Sequence, residues 1–328
     1  MRIRIATRRS KLALVQTNWV ADQLRKLQPG LEVELVEMVT QGDRITDRPL
    51  SEVGGKGLFV SELEHAVQES RADLAVHSLK DLPSELGAGL VIGCVPERED
   101  ARDVLVTRDG VELDDLSAGE NIGTSSLRRS LQLQALRNDL VYEGLRGNVD
   151  TRLAKLDAGQ YRAIVLAYAG LRRLGLASRP LWPIPEATSV PAVGQGALAL
   201  ECRADDQPLL ALLARFEHLP TRACIEAERA FLHSLGGDCH TPLAGHARIE
   251  DNGSRLFFDG LVASISDHRI VRAGTERYIE ARGTELIELA RGVGRETAER
   301  LLKQGALELI RNAATTQAQR RDPRIRPN

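Results

Sequence analysis

The sequence predicts an α/β protein with two open α/β domains and a smaller α+β domain. Over about the first two hundred residues, segments of alternating polarity are followed by segments with apolar residues on one helical face. A short charged stretch near residue 100, "EREDARD", separates two such blocks. After residue 238 the pattern becomes strands with an Asn-Gly turn, followed by helices, as in a small α+β domain.

The first block begins with a β-α-β unit. The strand "IRIAT" precedes a helix that Ser10 caps and Pro29-Gly30 ends, and "LEVELVEMV" forms the next strand. This order implies a parallel sheet with a right-handed crossover. The helix "FVSELEHAVQES" and the strands "ADLAVHSL" and "LVIGCVP" continue the pattern.

A long segment without periodicity interrupts this block. It includes the loop from Gln41 to Gly57 and is rich in Gly, Asp and Arg. Loops of this length inside a compact domain are usually lids or disordered segments. A linker and a functional lid are both open at this point.

The second block shows the same alternation of strands and helices. "NIGTSSLRRSLQLQAL", "VYEGLRGNVDTRLAKLDAG" and "YRAIVLAYAGLRRLG" each predict a strand, a turn and a helix, whereas "SVPAVGQGALALEC" predicts a strand that returns to the first domain. The predicted boundaries are 1–97 with 197–214 for domain 1, 101–191 for domain 2 and 219–313 for domain 3. The polar segment 314–328 is predicted to be a disordered tail.

Composition and charge exclude several classes of protein. The 328 residues include 44 basic and 46 acidic ones, so no overall basic excess indicates nucleic acid or an anionic membrane as partner. The N-terminus lacks the apolar core of a secretory signal, and no apolar run approaches the ~20 residues of a membrane span. We therefore expect a cytoplasmic protein.

Four cysteines raise separate questions. Cys94, Cys202 and Cys224 lie in apolar strand or helix patterns, and we expect them in the core. Cys239 lies in the glycine-rich turn "GGDCHTP". A purely structural role is open for Cys239, as are a covalent anchor and a nucleophile. With His240 and His246 it could also be a metal ligand, although no zinc spacing completes that set.

Basic residues concentrate in the second block. From Thr124 to Arg173 there are nine Arg or Lys against four Asp or Glu. We interpret Arg137, Lys155 and Arg162 as solvated helix faces, but Arg128, Arg129 and Arg146 follow predicted strands, where open α/β sheets bind ligands. Because arginine forks grip carboxylates, the cluster predicts a multi-carboxylate ligand.

One carboxylate stands out against this positive field. Asp81 follows the strand "AVHSL" and is adjacent to Lys80. A turn or capping role is open, as is stabilisation of a cation formed from a substrate.

Eight ordered motifs resemble one family. "IATRRSKLALVQ", "VGGKGLFVSELE", "DLAVHSLKDLP", "GTSSLRRSLQL", "LRGNVDTRLAKLD", "AGLRRLGL", "PAVGQGALALEC" and the Cys239 loop are similar to hydroxymethylbilane synthase, also called porphobilinogen deaminase. The resemblance runs from about Arg4 to about Ala313. It implies two hinged, periplasmic-binding-protein-like α/β domains around a cleft, with a third domain presenting the cysteine.

The implied activity is a transferase reaction. Four porphobilinogen molecules are joined head to tail onto a dipyrromethane cofactor, which Cys239 holds through a thioether, and ammonia and hydroxymethylbilane are released. Asp81 is implied as the catalytic carboxylate, stabilising positive charge on pyrrole nitrogen. Lys56 and Phe59 are implied at the edge of a mobile lid. The implied cofactor and substrate contacts are Arg8, Ser10, Lys80, Thr124, Ser126, Arg128, Arg129, Arg146, Arg152, Arg173 and Gln195. The family also implies a monomer that passes its product to a tetrapyrrole-cyclising enzyme.

One position departs from the family pattern. Asp238 precedes Cys239, where the family commonly has glycine or serine. Its charge would raise the pKa of the thiol and slow cofactor loading. Two other classes stay open: a two-lobed solute-binding module, and a metal-dependent enzyme using Cys239, His240 and His246.

Overall fold

The computed structural model describes residues 1–44, 57–237 and 241–321. Within them the helices are α1 (Lys11–Leu27), α2 (Gln41–Arg44), α3 (Ser61–Gln68), α4 (Leu127–Gln134), α5 (Val149–Asp157), α6 (Tyr168–Arg173), α7 (Gln207–Ala214), α8 (Leu219–Leu235), α9 (Thr284–Lys303) and α10 (Ala306–Arg321). The strands are β1 (Arg2–Arg8), β2 (Glu32–Met38), β3 (Leu74–Ser78), β4 (Leu90–Cys94), β5 (Asp103–Thr107), β6 (Asn121–Gly123), β7 (Val141–Glu143), β8 (Ala163–Ala167), β9 (Leu181–Pro183), β10 (Leu198–Arg203), β11 (Leu243–Glu250), β12 (Arg255–Ala263) and β13 (Ile270–Tyr278).

The first sheet has the strand order β2-β1-β3-β10-β4. Strand β1 is parallel to both β2 and β3, which confirms the β-α-β unit at the N-terminus. Strand β10 is antiparallel to β3 and β4, so the chain returns to this sheet as the sequence predicts. Cys94 and Cys202 are fully buried in its core, as expected.

The second sheet repeats this arrangement with the order β7-β6-β8-β5-β9. Strand β6 is parallel to β7 and β8, and β5 is antiparallel to β8 and β9. The predicted boundary near residue 100 falls in the segment between β4 of the first sheet and β5 of the second. A ligand cleft is favoured where the carboxyl ends of parallel strands from two such sheets face each other.

A third, antiparallel sheet of β11, β12 and β13 packs against α8 and α9. Its first hairpin turns at Asp251–Gly253, where Asn252 has a φ of 56°. Cys224 is buried in the core of this unit, as expected. The predicted α/β class, with two open sheets and a small α+β unit, is therefore confirmed.

Two local predictions differ from the structure. Within the predicted loop Gln41–Gly57, residues Gln41–Arg44 form a short helix, because the Asp43 carboxylate accepts hydrogen bonds from Thr40 and from Arg8. The predicted disordered tail is also partly wrong, because α10 continues from Ala306 to Arg321. Leu309 and Ala313 bury apolar surface against the third unit, which stabilises the start of this helix.

No helix in the described ranges combines the length and the apolar character that crossing a bilayer requires.

Candidate active site

A cavity of about 650 Å³ lies between the first two sheets. Strand ends and helix starts from both sheets line it, including Arg8–Leu12, Ser78–Asp81 and Arg146–Arg152. Of the described residues that line the cavity, nine are Arg or Lys and three are Asp. The cavity is therefore strongly cationic and suits a ligand with several carboxylates.

Asp81 is the carboxylate without a direct partner in this cavity. Two other lining carboxylates, Asp43 and Asp150, pair with Arg8 and Lys11. Asp81 closes the short 3-10 turn Leu79–Asp81 after β3, and none of the described residues forms a hydrogen bond or ion pair with its side chain. Its charge is thus available to a ligand inside a positive field.

Lys80 lies beside Asp81 and is held in a low-dielectric position. Burial and the charge of Arg129 lower the pKa of its ammonium to about 8, against the opposing effects of Asp81 and Asp103. Its Nζ donates to Oε1 of Gln195 at 3.4 Å. The protonated form of Lys80 is therefore less stable here than that of an exposed lysine.

Arg128 and Arg129 share one buried carboxylate. Nη1 and Nη2 of Arg128 lie 2.7 and 3.1 Å from the Asp103 oxygens, and Nε of Arg129 lies 2.8 Å from Oδ1. The pKa of Asp103 falls well below its usual range because the two guanidiniums outweigh its burial. Arg129 also lines the cavity, whereas Arg128 does not.

Arg152 and Arg173 are cavity cations whose charge is penalised by burial. Burial lowers the pKa of each to about 10, and for Arg152 the charges of Arg129 and Arg146 add to this effect. The Arg152 guanidinium donates a hydrogen bond to the Gly147 carbonyl, and that of Arg173 donates one to the Gly196 carbonyl. Bound carboxylates would relieve the unfavourable burial of these charges.

Arg8 connects the cavity to the base of the segment that begins at Gln41. It forms an ion pair with Asp43, and its guanidinium carbon lies 4.1 Å from the ring centroid of Phe59. The Asp43 pKa is lowered because hydrogen bonds and charge from Arg8, together with Thr40, outweigh burial. Most of the lid predicted from the sequence falls on residues 45–56, outside the described residues, so the role of Phe59 at its edge stays a prediction.

The structure brings most of the sequence-predicted site residues together. Those that line the cavity are Arg8, Ser10, Phe59, Lys80, Asp81, Arg129, Arg146, Arg152 and Arg173. Ser10 also caps α1 by accepting a hydrogen bond from the Ala13 amide at 3.3 Å. Thr124, Ser126, Arg128 and Gln195 do not line it. Thr124 accepts a hydrogen bond from the Ser126 amide, and Gln195 is buried behind Lys80.

Lys56 and Cys239 fall outside the described residues. The chain before Cys239 ends α8 at Gly236, which has the left-handed conformation (φ 62°) that favours glycine. For the metal hypothesis, the described part of the chain has no group of three metal-binding side chains. His246 instead lies 3.1 Å from Glu186, while Cys239 and His240 are outside that part.

Sequence reasoning missed some cavity residues. Lys155, interpreted as a solvated helix residue, lines the cavity and donates to the Arg146 carbonyl at 3.3 Å. Lys11 and Thr151 also line it. Their positions in the predicted helices could have identified Lys11 and Thr151. Lys11 begins α1 and Thr151 lies in the first turn of α5, and the N-termini of helices attract anions.

Two family models cover most of the chain. Residues 3–211 match "Porphobilinogen deaminase, dipyromethane cofactor binding domain", and residues 222–303 match "Porphobilinogen deaminase, C-terminal domain". Porphobilinogen deaminase of Brevibacillus brevis is 48% identical over 307 residues, covering 94% of this chain and 96% of its own. Its counterpart from Bacillus cereus is 48% identical over 310 residues, covering 94% and 97%.

Among solved structures, the second substrate binding domain of a putative amino acid ABC transporter from Streptococcus pneumoniae aligns at 13% identity and a TM-score of 0.41. The alignment covers 72% of this chain and 95% of that chain, but similarity at this identity and TM-score does not bear on function. The two family models and the relatives agree with each other and with the cationic cavity. On these matches, the chain belongs to the porphobilinogen deaminase family.

Proposed function

We propose that this protein is a transferase that joins four porphobilinogen molecules head to tail and releases ammonia and hydroxymethylbilane. The observation that carries the proposal is a single carboxylate, Asp81, without a direct partner among the described residues and surrounded by cavity cations. Each porphobilinogen brings an acetate and a propionate. A growing chain therefore multiplies the carboxylates that the arginines can bind.

The residues present fit a dipyrromethane cofactor in the cavity. The buried guanidiniums of Arg152 and Arg173 donate hydrogen bonds to backbone carbonyls, and burial still lowers the pKa of each. Arg129 also lines the same cavity. Carboxylates of the cofactor would complete these contacts. When bound, the dipyrromethane supplies the terminal pyrrole carbon to which the first substrate ring is joined.

The protein's own part in the chemistry is mainly electrostatic. Asp81 accepts hydrogen bonds from pyrrole N–H groups and stabilises the positive charge that develops on the substrate as ammonia departs. We assign to the same carboxylate the role of holding the proton that the newly joined ring must lose. The arginines orient the rings by their carboxylates, and Phe59 with Arg8 borders the cavity on the side of the predicted lid.

We assign cofactor attachment to the Cys239 thiol. The purified protein is expected to be heavier than its sequence by two linked pyrrole units, and intact-mass spectrometry measures this directly. Cys239→Ser should lose the added mass. Cys94→Ser is the matched control, because burial raises the pKa of the Cys94 thiol and leaves it unreactive in the core.

Turnover is tested by incubating the same preparation with porphobilinogen and following its consumption. Unmodified mass in active enzyme would remove Cys239 from the assignment. Tight porphobilinogen binding without consumption would favour the solute-binding alternative. A metal analysis that finds stoichiometric zinc would instead support the metal-dependent alternative.

The cellular setting follows from the same proposal. We place the enzyme in the cytoplasm as a monomer, with its linear product passed to an enzyme that cyclises it. Size-exclusion chromatography with light scattering tests the oligomeric state. The charge of Asp238, next to Cys239, is predicted to slow attachment of the cofactor, and Asp238→Gly should accelerate it.

A further inference from the structure

Gln195 is buried at the junction of the two sheets, with every hydrogen-bonding group of its side chain engaged. Its Nε2 donates to the Ala101 carbonyl at 2.7 Å and to Oδ1 of Asp103 at 2.9 Å. Its Oε1 accepts from Nζ of Lys80 and from Nη2 of Arg129, both at 3.4 Å. A glutamine amide has two donors and two acceptor positions, so none is left for a ligand.

The backbone around Gln195 fixes its position. Gly194 has a φ of +73°, and a Cβ there would lie 3.0 Å from the Lys80 amide nitrogen. Gly196 has a φ of +88°, and a Cβ there would lie 2.3 Å from the Glu99 carbonyl oxygen. Both glycines let this loop contact the main chain of the cavity wall and of the segment linking the sheets.

Asp103 supplies the negative charge of this network. It is fully buried and accepts hydrogen bonds from Arg128, Arg129, Gln195 and Ser189. Through Gln195 it is connected to Lys80, which belongs to the other sheet. One amide thus links the buried anion to two cations that line the cavity, Lys80 and Arg129.

We propose that Gln195 is a positioning residue that acts through Lys80 and Arg129, and that it is not a contact of cofactor or substrate. The inference rests on the proposed function only for the identity of the reaction. It changes the role that the family resemblance implies for Gln195. By accepting a hydrogen bond from Lys80, the amide holds in the cavity wall an ammonium whose charge interacts with that of Asp81.

The titration of Lys80 gives this role a measurable signature. The charged groups that act on it are Arg128, Arg129, Asp81 and Asp103, and Gln195 adds a neutral acceptor that favours the protonated amine. Removing that acceptor should make the ammonium less stable. Gln195→Leu is therefore expected to lower the Lys80 midpoint by about half a unit to one unit.

The test does not depend on turnover. Trace acetylation of the purified full-length protein over roughly pH 6 to 10, with mass spectrometry of the peptide containing Lys80, gives the midpoint directly. Gln195→Asn retains the amide but is one methylene shorter, so it is the variant to use if Gln195→Leu does not fold. An unchanged or raised Lys80 midpoint in the folded variant would overturn the proposal.

Ser189→Ala is the matched control. Ser189 is as deeply buried, and its hydroxyl donates to Oδ2 of the same Asp103, but it makes no contact with Lys80. We expect the Lys80 midpoint of this variant to equal that of the wild type. A shift as large as that of the Gln195 variants would show a general effect of loosening Asp103 and would refute the specific role of the amide.

Activity supplies the second readout. A positioning role predicts that kcat/KM of the Gln195 variants approaches the wild type at lower pH, with the alkaline limb moved to lower pH. A direct ligand contact predicts a loss of similar size at every pH. Wild-type protein that fails to consume porphobilinogen would refute the proposed function, whereas the acetylation result would still decide the role of Gln195.

Discussion

At the scale of single residues, arginines that look equivalent in the sequence have different positions relative to the cavity. Arg128 and Arg129 are adjacent, and both are buried. Arg128 donates hydrogen bonds to Asp103 and to the Val190 carbonyl and does not line the cavity. Arg129 also pairs with Asp103, but it lines the cavity as well. The two side chains differ because α4 presents them in different directions along its surface. Neighbouring arginines in a motif therefore need not share a role.

Substitutions of Asp81 test whether its charge or its shape is needed for catalysis. Asp81→Asn keeps the shape but removes the charge, and loss of a preorganised electrostatic partner typically costs about 3 to 4 kcal/mol of transition-state stabilisation. We expect single-turnover elongation to slow about a hundredfold or more. Asp81→Glu should retain more activity, because it keeps the charge.

Cofactor content is measured in the same two variants by intact mass. Since Cys239 lies in a different part of the chain, Asp81→Asn should still carry cofactor if the residual chemistry assembles it once. Near-normal elongation by Asp81→Asn would show that the Asp81 charge is not needed for catalysis.

At the scale of elements, the packing of α8 against α9 depends on one glycine. A Cβ at Gly294 would lie 2.0 Å from the Ala227 carbonyl oxygen, so the two helices approach too closely there for any side chain. The helical pattern predicts both helices, but it does not show which residue lies at their crossing. Only the packed structure identifies Gly294 as that position.

Gly294→Ala should destabilise the protein by about 1 to 3 kcal/mol, because the helices must move apart. Urea unfolding monitored by circular dichroism measures the change. Gly292→Ala is the control from the same helix: its Cβ meets nothing within 4 Å, and alanine should stabilise the helix by up to about 1 kcal/mol. Equal effects of the two substitutions would contradict the close-packing explanation.

At the scale of the whole molecule, a buried ionic cluster joins all three sheets. Arg98, between β4 and β5, pairs with Glu228 of α8. His246 of β11 lies 3.5 Å from Glu228 and 3.1 Å from Glu186, which follows β9. Glu228 also accepts hydrogen bonds from the Gly194 and Ala247 amides. The cluster thus ties the cavity wall to the third unit.

This cluster predicts a pH dependence of stability. Burial and Arg98 lower the pKa of His246, but its pairing with Glu186 and Glu228 outweighs them and raises it above 6.5. The stabilisation is fully present below pH ~6.5 and is lost as the pH rises through the raised value. Burial raises the pKa values of Glu186 and Glu228, but contacts with His246 and the charge of Arg98 outweigh it and lower both. Their contribution is present above about pH 4.3 and is lost on acidification.

His246→Gln should therefore cost the most free energy of unfolding between about pH 5 and 6.5, roughly 1.5 to 3 kcal/mol, and less at higher pH. Urea denaturation across this range measures the difference. His233→Gln, at an exposed position of α8, is the control and should change little. A cost for His246→Gln that grows with alkalinity would contradict the assigned charge of the cluster.

The sequence by itself determined the alternation of strands and helices, the return of β10 to the first sheet, the cationic character of the cavity and the prominence of Asp81. These features depend on local periodicity, turn chemistry and residue type, which are readable along the chain. The tertiary structure alone decided that Arg128 is bound by Asp103, that Lys155 lines the cavity, and that Gln195 is buried and saturated with hydrogen bonds. The pairings of Arg128 and Gln195 join residues 25 to 115 positions apart, and burial makes such pairing obligatory without leaving a local signal.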